Sequence, residues 1–148
     1  MSHNAVFVYG TLKPGERYEY IAKRGGRFEA KEASVEGFKL FHLRKENYPA
    51  VVPGEGIVRG YILFYENIER ALPYLDHLEG VNLDPPEYHR ISTTAQPDGE
   101  EVYLYVYANE KYLNRWNANL VEDGMWFSDK DAREGSSTEA EQSHDDPV

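Results

Sequence analysis

Residues 6–12 read Val6-Phe7-Val8-Tyr9-Gly10-Thr11-Leu12, an apolar run that leads directly into a glycine. β-Branched and aromatic residues favour a strand, and because neighbouring positions are all apolar we expect a central strand buried on both faces. Gly10 lets the backbone turn through angles that other residues resist. The amides of Thr11 and Leu12 then lie beyond the strand ladder, where successive free amides can hold an anion. The alternative is a core strand followed by an ordinary loop that binds nothing.

The composition is that of one compact domain, since the chain has 148 residues of which 41% are apolar. No apolar run approaches the ~20 residues of a membrane helix, and the N-terminus shows no signal-peptide pattern. We therefore expect a cytoplasmic protein that does not bind membranes. The net charge of −10 argues against a nucleic-acid partner. Because the chain has no cysteine, disulfides, thiol catalysis and thiolate metal sites are excluded.

The C-terminal end differs in composition from the rest of the chain. From Ser128 to Val148, seven acidic and two basic residues give a net charge of −5, and no aromatic or branched apolar residue occurs before Val148. Such a segment cannot bury enough apolar surface to fold. We predict a domain over residues 1–127 and an acidic, disordered tail over residues 128–148.

The order of predicted elements favours an α+β domain built on a curled, partly closed and mostly antiparallel barrel. The first predicted elements are a short helix within 15–22, a strand over 33–43 with a bulge or a close backbone approach at Gly37, an edge strand or covering loop over 48–54, and a strand over 57–65 with curvature at Gly60. They are followed by a helix over 66–79, a hairpin of 88–94 and 101–108, a weak helix over 111–121, and an apolar anchor at 124–127. In the helix over 66–79, Asn67 is the expected cap, Gly80 the expected end, and Pro73 is expected to kink or split it.

One carboxylate stands out as a candidate for acid–base chemistry. Glu79 closes the apolar helix directly before Gly80, where the helix dipole disfavours the ionised form, so partial burial would raise its pKa. Asp76 lies one turn earlier on the same face and is an alternative. A solvated helix-end residue with no function is another. The five histidines are scattered, so we expect no metal site.

Four segments together resemble the gamma-glutamylcyclotransferase-like family. They are Tyr9-Gly10-Thr11-Leu12, Tyr48-Pro49-Ala50, Leu75-Asp76-His77-Leu78-Glu79-Gly80 and Tyr88-His89-Arg90. The resemblance covers roughly Ala5 to Ala108 and implies a small mixed β-barrel flanked by helices. It also implies an enzyme that needs no metal or organic cofactor and cyclises a gamma-glutamyl amide to 5-oxoproline, releasing an amine, amino acid or peptide.

The same resemblance assigns roles to individual residues. Glu79 matches the family's catalytic glutamate, the turn from Tyr9 to Leu12 matches its substrate-binding turn, and Tyr88 matches a tyrosine usually placed at the pocket. The expected chemistry needs no protein nucleophile, because the substrate's own α-amine attacks the γ-carbonyl. The tyrosine face formed by Tyr103, Tyr105 and Tyr107 could line the cavity, and Tyr107, nearest the strand end, is our first choice for a pocket residue. The alternative is that this face packs under a helix or forms the outer wall.

Several questions stay open at the level of sequence. The leaving group is undefined, with gamma-glutamyl amino acids, gamma-glutamyl amines, gamma-glutamyl-lysine and a biosynthetic intermediate as candidates. A barrel of the same fold that binds a small carboxylated ligand or a protein without turnover is an alternative function. A structural domain whose acidic tail recruits a partner is a third. We expect a monomer or a weak homodimer.

Overall fold

The computed structural model of the chain describes residues 3–128. In chain order its elements are β1 (Ala5–Val8), α1 (Glu19–Arg24), β2 (Phe28–Leu43), β3 (Tyr48–Tyr65), α2 (Ile68–Glu79), β4 (Tyr88–Gln96), β5 (Glu100–Tyr107), a 3₁₀ turn (Glu110–Tyr112) and β6 (Ala118–Leu120). Of the predicted acidic tail, only Ser128 belongs to the described residues; positions 129–148 lie outside them, so the prediction of disorder stays a prediction.

The strands form one sheet that closes on itself. Its order is β3-β1-β5-β4-β2-β6, and β3 also pairs with β2. The first five strands of this order therefore form a closed barrel, and β6 extends β2 on the outside. The β1–β5 pair is parallel and the other pairs are antiparallel. The predicted α+β class with a mixed barrel and flanking helices is confirmed, although the barrel is fully closed.

Strand β1 is buried on both faces, as predicted, because it lies between two hydrophobic cores. Phe7 belongs to a cluster that draws residues from all five barrel strands and none from the helices, which places it inside the barrel. Val6 and Val8 belong to a second cluster that includes Ala71 and Leu75 of α2, which places them beneath the helices. Successive side chains of a strand point to opposite faces, so this short strand joins the two cores.

The two long strands differ from the predicted elements. Residues 48–54 and 57–65 form one continuous strand, β3, of 18 residues that pairs with β2 along its length. The prolines at 49 and 53 are tolerated because, within the described residues, no strand pairs with the other side of that half of β3. The register shifts between Glu36 and Phe38, so the predicted bulge at Gly37 is confirmed.

Helix α2 has the predicted cap and the predicted end, but it begins at Ile68, two residues later than predicted, and it lacks the predicted break. The side chain of Asn67 accepts a hydrogen bond from the amide of Arg70 at 3.3 Å, and Gly80 ends the helix in the left-handed conformation with φ +68°. Pro73 lies inside an unbroken helix on its exposed side, while Ala71 and Leu75 are fully buried. Burial of the apolar face therefore outweighs the single backbone hydrogen bond that Pro73 cannot donate. No helix among residues 3–128 is long and apolar enough to span a bilayer.

The segment after β5 is not the predicted helix. Asparagine side chains form hydrogen bonds with its backbone groups instead. Asn114 Oδ1 accepts from the Trp116 amide at 2.8 Å, and Asn117 Nδ2 donates to the Tyr112 carbonyl at 2.6 Å. Such local bonds compete with helix formation. Further on, Trp126 is fully buried and its Nε1 donates to His42 Nδ1 at 3.0 Å, so the predicted apolar anchor is confirmed.

Gly60 provides a test of barrel closure. A Cβ at this position would lie 2.2 Å from the Val8 carbonyl oxygen, so β3 and β1 approach each other too closely for a side chain. We expect Gly60→Ala to lower the free energy of unfolding by about 1–3 kcal/mol, as overpacking does, measured by urea unfolding. Gly54→Ala is the control in the same strand, because its Cβ would meet only the flexible side chain of Lys39. Equal effects of the two substitutions would contradict this account.

Candidate active site

A cavity of about 310 Å³ opens where β1 ends. The turn after β1, the end of α2, the start of β4 and the β2–β3 connection all contribute to it. Its lining consists of Phe7, Val8, Tyr9, Gly10, Thr11, Leu12, Tyr18, Lys45, Glu46, Tyr48, Pro49, Leu78, Glu79, Glu87, Tyr88 and Tyr105. Six of the seven residues predicted for the site therefore meet in one place.

The turn after β1 leaves two backbone donors unused. The amide of Lys13 donates to the Gly10 carbonyl at 3.0 Å, and the carbonyl of Thr11 accepts from Tyr18 at 2.9 Å. Within the described part of the chain, the amides of Thr11 and Leu12 donate to no protein acceptor. Two neighbouring free amides beside a cavity form a position suited to an anion.

The turn is held from both sides by close packing. A Cβ on Gly10 would lie 2.5 Å from Cγ of Pro49, so only glycine lets the turn pack against β3. On the other side the ammonium group of Lys13, a residue only 3% exposed, donates to the Trp126 carbonyl and lies 4.6 Å from the centre of the Phe127 ring. The C-terminal anchor thus supports the turn, and the site is built on rigid elements.

Glu79 brings a carboxylate with unusual acid–base properties into the cavity. Glu79 is the last residue of α2 and lines the cavity, and its side chain is half-buried. Burial of its carboxyl group, followed by the charges of Glu87 and Asp76, raises the pKa of Glu79 to about 8. None of residues 3–128 donates a hydrogen bond to this carboxylate in the structure. It is therefore available to exchange a proton near neutral pH.

Asp76, the alternative acid, is already engaged one helical turn earlier. Tyr105 Oη donates to its Oδ1 at 2.7 Å, and the guanidinium of Arg90 donates to its Oδ2. Asp76 is not among the residues that line the cavity. Through these bonds its two oxygens connect α2 to β4 and β5, whereas Glu79 lines the cavity.

Tyr9 and Tyr88 form walls of the cavity, and their hydroxyl groups bind backbone carbonyls. Tyr9 Oη donates to the Tyr105 carbonyl at 2.6 Å, and Tyr88 Oη donates to the Pro49 carbonyl at 2.5 Å. Burial raises the pKa of both phenols well above the usual range, so both stay protonated and keep these bonds. The two tyrosines lock β1, β3, β4 and β5 together around the cavity.

The structure does not place Tyr107 in the lining. Tyr107 pairs directly with Tyr88 across the β4–β5 ladder, and their ring centres are 5.3 Å apart in an edge-on contact. Tyr88 is the member of this pair that faces the cavity. Two residues earlier on the same strand, Tyr105 lines it instead. The choice of Tyr107 as a pocket residue is corrected to Tyr105.

Sequence reasoning also missed five further polar residues of the lining, which are Tyr18, Lys45, Glu46, Tyr48 and Glu87. The hydroxyl group of Tyr48 donates to Glu87 Oε2. Tyr48 belongs to the family-like segment Tyr48-Pro49-Ala50, and Glu87 directly precedes Tyr88, so both lie in or beside segments that carry the family resemblance.

Within residues 3–128, no group of three or more His, Asp and Glu side chains lies close enough together to hold a metal ion.

Comparisons with known proteins agree with this fold. The family model described as gamma-glutamyl cyclotransferase, AIG2-like, matches residues 6–128. An AIG2-like protein of Mus musculus is 27% identical with a TM-score of 0.61, covering 85% of this chain and 90% of that chain. A protein of Arabidopsis thaliana is 30% identical with a TM-score of 0.54, covering 78% of this chain and 76% of that chain. An uncharacterised protein of Pyrococcus horikoshii is 19% identical with a TM-score of 0.62, and the match covers 90% of this chain and 95% of that chain. At this identity the likeness shows the fold alone. A search of curated protein sequences finds no match.

Because the pKa of Glu79 is raised, we expect its ionisation to lower the free energy of unfolding of the wild type, and Glu79→Gln, which cannot ionise, should not show this loss. Above pH 4.5 the unfolded chain ionises this group, whereas the folded chain keeps it protonated up to about pH 8. Wild-type stability therefore falls relative to the variant as pH rises between these values, and the difference is constant above them. We expect Glu79→Gln to be more stable by on the order of a few kcal/mol at pH 8.5, since one pKa unit corresponds to about 1.4 kcal/mol.

The measurement is urea unfolding of both proteins at pH 4, 6 and 8.5. Glu69→Gln, which removes an exposed carboxylate from the first turn of the same helix, is the control and should show no such trend. A stability difference that does not grow between pH 4 and pH 8.5 would show that Glu79 ionises normally in the folded protein.

Proposed function

This chain belongs to the AIG2-like gamma-glutamyl cyclotransferase family, and on that premise we propose that it cyclises a small gamma-glutamyl amide to 5-oxoproline and releases an amine, amino acid or peptide. The observation that carries the proposal is the position of Glu79. Its carboxylate, with a pKa raised to about 8 and no donor among residues 3–128, lines the same cavity as the free amides of Thr11 and Leu12.

The proposed reaction begins with a proton transfer. The substrate carries an α-ammonium group, and Glu79 in its ionised form takes one proton from it. The freed lone pair attacks the γ-carbonyl carbon, a new C–N bond closes a five-membered ring, and the π electrons move to the carbonyl oxygen. Because the nucleophile and the carbonyl belong to one molecule, holding that molecule folded supplies much of the acceleration.

The second half of the reaction returns the proton. Glu79 donates its proton to the leaving nitrogen, the bond between that nitrogen and the γ-carbon breaks, and the carbonyl re-forms. The ring nitrogen loses its second proton, which the released amine takes up to become an ammonium ion. Atoms and charges balance without water, a metal or a redox cofactor. A base whose pKa lies near the working pH suits both steps.

The turn at Gly10 supplies the anion-binding part of the proposed site. The amides of Thr11 and Leu12 would bind either the substrate's α-carboxylate or the oxyanion that develops on the γ-carbonyl oxygen. Lys13 cannot replace them, because its ammonium group is held by the C-terminal anchor. A cavity of about 310 Å³ suits a glutamyl group with a small leaving group.

The direct test is release of 5-oxoproline from a panel of gamma-glutamyl amino acids, gamma-glutamyl amines and gamma-glutamyl-lysine. We expect wild type to act on at least one of them and Glu79→Gln to lose about 10²–10⁴-fold in kcat, the usual loss when a general acid–base is removed. Glu69→Gln is the matched control on the exposed face of α2 and should keep wild-type activity. If Glu79→Gln is as active as wild type, the mechanism is wrong. If no compound reacts, a binding protein of the same fold becomes the better account.

The pH dependence offers an independent test. Since Glu79 must be ionised to accept a proton and its pKa is raised to about 8, kcat/KM should rise with pH through this region. The substrate's ammonium group titrates nearby, so its pKa is measured alone by NMR and its contribution removed from the profile. A corrected profile that is flat from pH 6 to pH 9 would contradict the role of Glu79.

A further inference from the structure

The loop after α2 folds a second carboxylate back to the end of the helix. The amide of Glu87 donates to the carbonyl of Gly80 at 3.0 Å, and the carbonyl of Glu87 accepts from Ala108 at 2.9 Å. Glu87 Oε1 lies 3.4 Å from the position that a Cβ on Gly80 would occupy. These two backbone hydrogen bonds therefore hold Glu87 beside Gly80, the residue that follows Glu79 in the chain.

The carboxylate of Glu87 is only half used by the protein. Its Oε2 accepts the hydroxyl proton of Tyr48, a donor whose pKa is raised by burial and then by Glu87 itself, so the bond persists at neutral pH. Its Oε1 accepts no hydrogen bond from any of residues 3–128. Both Tyr48 and Glu87 line the cavity. The side chain is thus held by one oxygen, and the other is left to a ligand.

None of the three glutamates that line the cavity, Glu46, Glu79 and Glu87, has a cationic partner in the described part of the chain. Arg90, the nearby arginine, is bound to Asp76, and no Lys, Arg or His nitrogen of residues 3–128 forms an ion pair with Glu79 or Glu87. Two carboxylates that share one cavity repel each other. A ligand cation placed between them would relieve this repulsion and would complete the hydrogen bonding of both groups.

We infer that Glu87 is a second functional residue of this site: its free Oε1 binds the α-ammonium group of the gamma-glutamyl substrate while Glu79 takes the proton. The inference rests on the proposed function. An ammonium group has three N–H donors, so it can donate one to Glu79 and one to Glu87 at the same time. After the transfer to Glu79, the bond to Glu87 remains and orients the amine's lone pair.

Binding measurements test this inference without requiring turnover. L-Glutamine carries the α-ammonium group next to a γ-amide, whereas N-acetyl-L-glutamine carries the same γ-amide with no ammonium group. We expect Glu87→Gln to weaken binding of L-glutamine on the order of tenfold, as loss of a charge-assisted hydrogen bond does, and to leave binding of N-acetyl-L-glutamine unchanged. The substitution keeps the shape of the side chain and an oxygen that can accept from Tyr48. Isothermal titration calorimetry measures both affinities.

Asp84→Asn is the control, because it removes a carboxylate from an exposed position of the same loop; it should bind both compounds as wild type does. Equal loss of both ligands in Glu87→Gln, no loss of either, or no binding of L-glutamine by wild type would overturn the inference. The outcome is distinct from that of the proposed function. A protein that shows the selective loss of L-glutamine but releases no 5-oxoproline from any substrate retains the ammonium site and is not a cyclotransferase.

Discussion

Strand β1 has no face exposed to solvent, and the rest of the architecture depends on this constraint. A four-residue strand with neighbours on both edges and cores on both faces can exist only if a sheet surrounds it and helices cover it. Barrel closure and the placement of α2 follow from that requirement. Strand β1 ends at Val8, and the amides of Thr11 and Leu12, which follow Gly10, donate to no acceptor among residues 3–128. The strand that organises the core is therefore followed directly by the turn that carries the two free amides of the candidate site.

Two carboxylates one helical turn apart illustrate how environment assigns different roles to similar groups. Asp76 is neutralised by Arg90 and bonded by Tyr105, so it joins α2 to the sheet. Glu79 has neither type of partner within residues 3–128, and burial raises its pKa to about 8. Opposite charges and hydrogen-bond donors favour the ionised form of an acid, whereas burial without them disfavours it. Because this pKa is raised, we expect ionisation of Glu79 to lower the free energy of unfolding.

The candidate site joins segments that are distant in the chain through a small number of backbone contacts. Tyr88 of β4 binds the Pro49 carbonyl, Pro49 packs against Gly10, and Glu87 binds the Gly80 carbonyl. Each of these contacts positions one wall of the cavity relative to another. The walls are thus set by contacts to the main chain, whereas Glu79 accepts no hydrogen bond from residues 3–128 and the amides of Thr11 and Leu12 donate none to them.

Local patterns in the sequence were sufficient to predict β1, the glycine turn, the cap and end of α2, the β4–β5 hairpin and the position of Glu79 at the end of α2. Apolar runs, helical periodicity and turn chemistry act between residues that are close in the chain. They failed where distant segments meet. Residues 48–65 are one strand because β2 pairs with them along the strand. Tyr105 lines the cavity, whereas Tyr107 packs against Tyr88. Glu87 and Tyr48 join the site only on folding, and the pKa of Glu79 is raised only when folding buries its carboxyl group and brings Glu87 and Asp76 near it. Hydrogen bonding and desolvation depend on distances through space, which periodicity along the chain does not record.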